Sequence, residues 1–462
     1  MLKVLELFSG IGGFHYALNE IKAQAKVIGA VDINNVANSI YKLNFPDTPI
    51  LQRCIESLTV QELDTLEPDL IHMSPPCQPY VRVGKQGDKD DERTKSFLHL
   101  IDVIPQMKMR PKYIFMENVK GFETSETRNA FIEMLKACGY TYQEFLLSPL
   151  QFGIPNSRLR YYLMAKQAGL QFAFDTSDQI LEELPLSAEH YLIHRINPLM
   201  EEMDTSRVNT ASSHISVTTS HQCVSSSKVE ASRGHRPIEE HNEPNKRRNL
   251  GHGRVVTVEE ISGTTQTGPL TSLPNMMGKM VETCSATDSL EYHKTERRDS
   301  ESMPLYKKFQ NSCRPIADFL EELEPADLEK YLVPAKFLRC FWVMDIVRPH
   351  FRNSCCFTKR YGHHIEGAGS VIQMAEPPGV DLSQFKKDRV YSEEVEQGVR
   401  ALQLRFFTPG EIARLMCFPK QFEFPPDVST IQCYRVLGNS LNVHVVGVLV
   451  ELLLLNADSD DA

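Results

Sequence analysis

The sequence lacks the features that mark secreted and membrane proteins. No apolar run reaches the length of about 20 residues needed to cross a bilayer, and residues 1–13 show no basic segment followed by a cleavage site. The 11 cysteines include no CxxC pair and no regular spacing, so neither a disulfide framework nor a structural zinc site is expected. These absences predict free thiols, no bound metal, no membrane association and a cytoplasmic location, with the nucleus as the alternative.

An excess of positive charge is also missing from the chain. The net charge of −10 argues against a protein that coats nucleic acid, although it leaves room for a local basic groove.

Residues 205–232 contain 13 Ser or Thr among 28 residues and no aromatic residue. Such a composition cannot form a packed core, and we predict a disordered insertion over 201–303. The basic cluster within it (Lys246, Arg247, Arg248) is interpreted as a solvated patch, with a nucleic-acid arm or nuclear address as the alternative.

The first 165 residues alternate short apolar runs with amphipathic stretches. Strands are predicted at VLELF, KVIGAVD, DLIHM, YIFMEN, YQEFLLSP and RLRYYLMAK, with helices between most of them. This alternation is typical of an α/β, doubly wound, mostly parallel sheet. Beyond residue 304, helices are predicted in 315–334 and 337–347, and a loop followed by a buried helix over 433–455.

A glycine-rich turn follows the first predicted strand. FSGIGG, residues 8–13, includes Phe8, Gly10, Gly12 and Gly13, and its glycines permit a ligand to approach the backbone closely. Asp32 ends the second strand, where doubly wound folds hydrogen-bond a ribose diol. An ordinary turn and an ordinary strand-end aspartate are the alternative, but the combination favours nucleoside-cofactor binding.

A cysteine and a glutamate end the next two strands. Cys77 follows Pro75 and Pro76, which stiffen the loop, and Glu117 and Asn118 close the strand YIFMEN. Because the carboxyl ends of parallel strands meet at one crevice, a thiol and a carboxylate are expected to face each other. Two further basic groups, Arg158 and Arg160, alternate and are predicted to share one face of a strand near an anion or a polar base edge.

The order of these motifs resembles the cytosine-C5 methyltransferases of the DNA-methyltransferase type. FSGIGG, Asp32, SPPCQ, ENV (117–119), RLR and GNS (438–440) appear in that family's order. The resemblance implies S-adenosylmethionine as cofactor, a flipped cytosine as substrate, covalent attack by Cys77 on C6, Glu117 at N3, Arg160 near O2, and Arg158 supporting the loop or a phosphate. It also adds cofactor contacts at Ile33, Ile55, Pro75, Asn439 and Ser440.

A second stretch resembles the branch of this family that methylates transfer RNA. It is CFTKRYGHHIEGAGS, residues 356–370. The resemblance implies the anticodon loop of tRNA, in particular tRNA-Asp, as substrate, where an unpaired base is splayed out at low cost. Substrate contacts are expected at Asn118, Cys356, Thr358, Lys359 and Arg360. A DNA cytosine-C5 methyltransferase with weak DNA binding, and a non-catalytic RNA-binding protein, are the alternatives.

The resemblance also divides the chain. It implies a catalytic, cofactor-binding domain over 1–165, and a smaller mixed target-recognition region that starts at 166–200 and continues over 304–404. The segment 405–455 is expected to return to the catalytic domain, and 456–462 to form an acidic tail.

Overall fold

The structure, a computed structural model, describes residues 1–77, 80, 88, 91–185, 305–377 and 392–455. The predicted disordered insertion, its basic cluster and the acidic tail lie outside the described residues. The predicted catalytic residues Cys77, Glu117, Arg158 and Arg160 all lie within the described residues.

One large sheet carries the first half of the chain. Its strand order is β3-β2-β1-β4-β5-β7-β6-β8, and only β7 runs antiparallel to its neighbours. The prediction of an α/β fold with a mostly parallel sheet is confirmed. The sheet continues past residue 165, the predicted end of the catalytic domain, because β8 pairs with β6. The strands are β1 (Leu2–Leu7), β2 (Ala25–Val31), β3 (Ile50–Leu51), β4 (Leu70–Met73), β5 (Tyr113–Val119), β6 (Tyr140–Leu147), β7 (Arg160–Gln167) and β8 (Ile180–Leu181).

Helices cover both faces of this sheet. Alternate residues of β1 belong to two separate buried clusters, Val4 to one and Leu5 and Leu7 to the other, as a strand buried on both faces requires. Asn34 and Ser125 cap two of the helices with their side chains. The helices are α1 (Gly13–Glu20), α2 (Asn35–Asn44), α3 (Val60–Leu66), α4 (Lys95–Val103) and α5 (Glu126–Ala137).

A three-stranded sheet forms the smaller region. Its order is β11-β10-β9, and a fully buried ion pair fixes β11, because Arg405 donates to both carboxylate oxygens of Glu411 at 2.7 and 2.8 Å. The helix predicted over 337–347 is wrong in its second half, since β-branched Ile346 and Val347 pair with β10 instead. The elements are β9 (Asp345–Val347), β10 (Ser370–Gln373), β11 (Leu404–Phe406), α6 (Pro325–Tyr331), α7 (Ala335–Leu338), α8 (Glu393–Ala401) and α9 (Pro409–Leu415).

Two C-terminal helices return to the large sheet. They are α10 (Thr430–Gly438) and α11 (Val443–Leu454), and α11 contacts α1 through a bond between His444 and Glu20. The loop predicted over 433–442 is largely helix, since Ser429 and Gln432 form a capping box that starts α10. The two helices together, Thr430–Leu454, are long and apolar enough to span a membrane, although no such run was expected from the sequence. In the fold, however, 78% of the most apolar window of this segment is buried.

A buried carboxyl in β1 makes the stability of the fold depend on pH. Burial raises the pKa of Glu6 to about 8, although the hydrogen bond from the Tyr41 hydroxyl (2.7 Å) lowers it. Glu6 is therefore neutral in the native state at pH 7. Its stabilising contribution is complete below about pH 4.5, the ordinary value, and is lost as pH rises through the folded value.

Replacing Glu6 with glutamine is expected to remove this dependence. Urea unfolding at pH 6 and pH 9 should show the wild-type free energy of unfolding falling more than that of Glu6→Gln, so that the variant gains relative stability at pH 9. Glu67→Gln, at a side chain that is 61% exposed, is the control and should follow the wild type. Parallel curves for wild type and Glu6→Gln would contradict a neutral Glu6.

Candidate active site

The carboxyl ends of four strands lie at one edge of the large sheet. Leu7 pairs with Val31 on one side and Met73 on the other, and Met73 pairs with Met116. The residues that follow these aligned positions are Phe8, Asp32, Ser74 and Glu117. The register thus brings the four predicted motifs to a single crevice, as expected for a parallel sheet.

Asp32 fixes the conformation of the glycine-rich loop. Its two carboxylate oxygens accept the Gly10 N–H at 2.9 Å and the Asn34 N–H at 2.8 Å. Burial raises the pKa of Asp32 against the lowering effect of these N–H donors. Gly10 and Gly12 adopt left-handed φ angles of 55° and 84°, which glycine accommodates without steric cost. Asp32 therefore positions the loop, and its predicted ribose contact stays a prediction.

The crevice beside this loop has the character expected of an S-adenosylmethionine site. Ile33 is 65% exposed although it is a large apolar residue, and a Cβ at Gly10 would meet nothing within 4 Å. The buried Ser9 hydroxyl has no hydrogen-bond partner among the described residues. An exposed apolar side chain, open space above the backbone and an unsatisfied hydroxyl together fit a nucleoside ligand.

The GNS motif lies against the same loop, and one predicted contact, that of Ile55, could come only from the backbone. A Cβ at Gly13 would lie 3.3 Å from Ser440 Oγ, so the C-terminal motif reaches the first glycine loop as the resemblance implied, with Asn439 exposed beside it. Ile55, by contrast, is only 4% exposed and packs in the core with Leu5 and Leu7. Its side chain is unavailable to a cofactor because it forms part of the apolar core below the crevice.

Cys77 lies at the end of a loop that Asn118 holds in place. Asn118 donates from Nδ2 to the carbonyl of Pro75, a buried proline, at 3.4 Å, and its Oδ1 accepts the Val119 N–H at 2.8 Å. Asn118 is itself buried, so the prediction that it binds substrate is corrected to a positioning role. Cys77 is a free, half-buried thiol, as an attacking sulfur must be.

Glu117 and Arg160 face each other across two paired strands. Arg160 lies opposite Val119 in the β5–β7 register, and Glu117 and Val119 share one face, so the two long side chains are diagonal neighbours. Arg160 Nε lies 3.4 Å from Glu117 Oε1, yet that oxygen accepts no hydrogen bond. Burial raises the pKa of Glu117. Arg160 and Arg158 lower it by a smaller amount, so the pKa stays above its ordinary value. The result is a carboxyl group that can carry a proton and has a free oxygen.

A second thiol joins this cluster. Arg158 Nη1 lies 3.4 Å and Arg160 Nη2 3.6 Å from Cys356 Sγ. Burial raises the pKa of Cys356, but the combined effect of the two guanidinium groups is larger, so the pKa of this thiol lies below its ordinary value. Burial also lowers the pKa of Arg160, and Cys356, Glu117 and Cys77 together raise it above its ordinary value. The predicted nucleophile, acid and arginine are thus electrostatically coupled at one place.

Arg158 links three segments and does not lie in the strand. The strand begins at Arg160, so the expectation that both arginines alternate along one strand is wrong. Arg158 is 3% exposed and donates to the carbonyls of Phe357 (3.2 Å), Gly438 (3.3 Å) and Ser440. Arg158 therefore joins the Cys356 loop to the GNS motif, in keeping with the loop-supporting role that the resemblance implied.

The remaining predicted substrate residues lie in the loop after Cys356. The Thr358 N–H donates to the Ala368 carbonyl at 2.9 Å, and the exposed Arg360 contacts the His364 ring through Nη2 at 3.3 Å. Lys359 is half-buried. Their contacts with RNA phosphates stay a prediction.

Asn156 stabilises the segment before Cys356, a role that the sequence did not indicate. Its side chain donates to Ser354 Oγ and to the Cys355 carbonyl, each at 3.0 Å. The Arg93 guanidinium, in contrast, pairs with Asp91 at 2.7 Å. Within the ranges that the structure describes, no cluster of three or more His, Cys, Asp or Glu could hold a metal ion.

Gly438 permits the closest backbone approach in this site. A Cβ there would lie 2.2 Å from the Lys359 nitrogen and 2.3 Å from the Thr358 carbonyl carbon, and neither backbone atom can move aside cheaply. Gly438→Ala should therefore lower the free energy of unfolding by about 1–3 kcal/mol or more, measured by urea unfolding. Gly447→Ala in α11 is the control, because its nearest atom lies at 3.4 Å and alanine favours a helix. Equal stability of the two variants would contradict the close approach.

Comparison with known proteins agrees with the geometry. A family model described as C-5 cytosine-specific DNA methylase matches residues 2–454. The chain is 40% identical to the human tRNA (cytosine(38)-C(5))-methyltransferase, covering 98% of this chain and 99% of that protein. It is 34% identical to a DNA (cytosine-5)-methyltransferase of Dictyostelium discoideum over 98% and 94%. A crystal structure of a Spodoptera frugiperda DNMT2 variant superposes with a TM-score of 0.65 at 33% identity, covering 98% and 100%. The chain belongs to the C-5 cytosine-specific DNA methylase family.

Proposed function

We propose that this protein transfers a methyl group from S-adenosylmethionine to C5 of a cytosine in the anticodon loop of tRNA, with tRNA-Asp as the specific substrate. The catalytic half of the proposal depends on one observation: the Cys77 loop and Glu117 follow the aligned ends of neighbouring strands, Asn118 bonds that loop, and Arg160 lies 3.4 Å from Glu117. Family membership accounts for the reaction type. The proposal of tRNA as substrate is supported by the name of the human relative, which is a tRNA methyltransferase.

The side chains account for the chemistry of an unreactive ring carbon. The Cys77 sulfur forms a bond to C6, which places electron density on C5. Glu117, whose raised pKa favours the protonated form, donates a proton to N3, and Arg160 lies where it can stabilise the base oxygen. S-adenosylmethionine, when bound, supplies the methyl group. Loss of the C5 proton to water, departure of Cys77 as the thiolate and return of the N3 proton to Glu117 then restore the aromatic ring.

The choice of tRNA over DNA has support from the Cys356 loop. Cys356, Phe357 and Thr358 stand beside the arginines of the catalytic cluster, and they are the residues that resemble the tRNA-methylating branch. A relative of similar coverage is named as a DNA methyltransferase, so DNA is the second candidate substrate.

Labelled S-adenosylmethionine offered with tRNA or with duplex DNA separates the two candidates. We expect label in total tRNA, mapped by bisulfite sequencing to one anticodon-loop cytosine of tRNA-Asp, and at least about tenfold less in DNA. Comparison of tRNA-Asp with other tRNA transcripts tests the finer claim. Label in DNA alone would overturn the proposal.

A further inference from the structure

An open groove of about 360 Å³ lies in the smaller region, outside the catalytic cluster. Its size falls within the range of about 300–1,000 Å³ found for small-ligand sites. One large aromatic side chain, Phe351, borders it and is 39% exposed. The other lining residues are mostly polar: Gln310, Asn311, Asp345, Ile346, Val347, Arg352 and Asn353.

The lining combines a stacking surface with groups that read a base edge. An exposed phenyl ring offers a face to an unstacked base. The amides of Gln310 and Asn311 form no side-chain hydrogen bond among the described residues, so both retain donors and acceptors. Asp345 accepts from Ser370 Oγ, and a carboxylate favours an amino group on the ligand over a phosphate.

Backbone hydrogen bonds hold Phe351 in place at the groove, and its ring meets the His350 ring edge-on, with centroids 5.0 Å apart, while it stays 39% exposed. The Phe351 carbonyl accepts the Ile316 N–H at 2.8 Å, and the Phe351 N–H donates to the Arg348 carbonyl at 2.9 Å. Arg352 donates to the Cys313 carbonyl. An aromatic residue fixed by its backbone while its ring stays partly exposed loses little conformational freedom on binding.

The same loop connects the groove to the catalytic cluster. Asn353 accepts from Ser157 Oγ at 2.7 Å, and Ser157 precedes Arg158, which contacts Cys356 Sγ at 3.4 Å. Cys356 is five positions after Phe351, so their Cα atoms are at most about 18 Å apart. A nucleotide near the target in the same RNA loop can therefore reach the groove.

We propose that this groove binds one unstacked, amino-bearing base of the substrate RNA, close to the target cytosine, with its ring stacked on Phe351. This proposal rests on the proposed RNA substrate. It adds a specificity-determining residue, Phe351, that neither the family motifs nor the catalytic cluster includes. Bases with an exocyclic amine are preferred to uracil because Asp345 and the two amides border the groove.

The test uses anticodon stem–loops of tRNA-Asp that carry the fluorescent base 2-aminopurine at one loop position at a time. With full-length protein and S-adenosylhomocysteine, we expect stacking to quench one position other than the target in wild type and Phe351→Tyr. Phe351→Ala and Phe351→Leu should lose the quenching and bind about 5- to 150-fold more weakly. Uridine at that position should weaken binding to wild type.

The control is Met109→Ala, at a residue that is 67% exposed and apolar but does not line the groove. It should bind and quench as the wild type does, and thermal melts should show that all variants fold. Quenching and affinity that survive in Phe351→Ala and Phe351→Leu would overturn the groove proposal alone, provided that the wild type methylates the RNA. A wild type that neither binds nor methylates the stem–loop would instead reject the proposed function.

Discussion

Cys77→Ser is expected to lower the rate of methyl transfer by at least about 10³-fold. The serine hydroxyl has nearly the same size as the thiol but is a far weaker nucleophile, so the bond to C6 does not form. Binding should change little, because the loop is held by Pro75 and Asn118 and not by the sulfur. Single-turnover rates with saturating enzyme, combined with RNA affinity, separate chemistry from binding.

A matched cysteine provides the control for this experiment. Cys340→Ser alters another half-buried cysteine that forms no disulfide, outside the strand-end crevice, and should leave the single-turnover rate within about twofold of wild type. A Cys77→Ser variant that retains more than a tenth of the wild-type rate would rule out covalent attack by this sulfur.

Glu117→Gln is expected to lower the rate by about 10²- to 10⁴-fold. The amide keeps the shape of the side chain that faces Arg160 at 3.4 Å but cannot deliver a proton to N3. Glu133→Gln, an exposed position on α5, is the matched control and should behave as the wild type.

The pH profile gives a second, independent result for Glu117. Because burial raises the pKa of this carboxyl, the protonated form should persist above the ordinary range, and the wild-type rate should fall as pH rises through the raised value. Glu117→Gln should lack that alkaline limb. An identical limb in the variant would assign the titration to another group.

Much of the site could be predicted because it lies where strands end. The positions of the glycine loop, Asp32, Cys77 and Glu117 follow from a parallel sheet, whose carboxyl ends share one edge, and the register confirms their alignment. The motif order then added the chemistry. Neither step required knowledge of side-chain contacts.

The errors arise where contacts distant in sequence decide the outcome. Ile55 follows an exposed cysteine, and nothing local shows that its side chain belongs to the same buried core as Leu7. Arg158 looks equivalent to Arg160 in sequence, yet its partners are carbonyls about 200 and 280 residues away. The approach of Gly438 to Lys359 depends on the return of α10, which no periodic pattern specifies. The capping box at Ser429 was a local signal for that helix that the reasoning missed.

The central claim is that Cys77, and not the neighbouring Cys356, bonds to C6 of a cytosine in tRNA. The most direct measurement uses an anticodon stem–loop with 5-fluorocytidine at the target position, where the departing C5 proton is replaced by fluorine and the adduct persists. With S-adenosylmethionine present, mass spectrometry of the digested complex should find the RNA attached to the peptide containing Cys77, and none attached in Cys77→Ser. Attachment at Cys356, or methylation of normal RNA without any trapped adduct, would contradict the account.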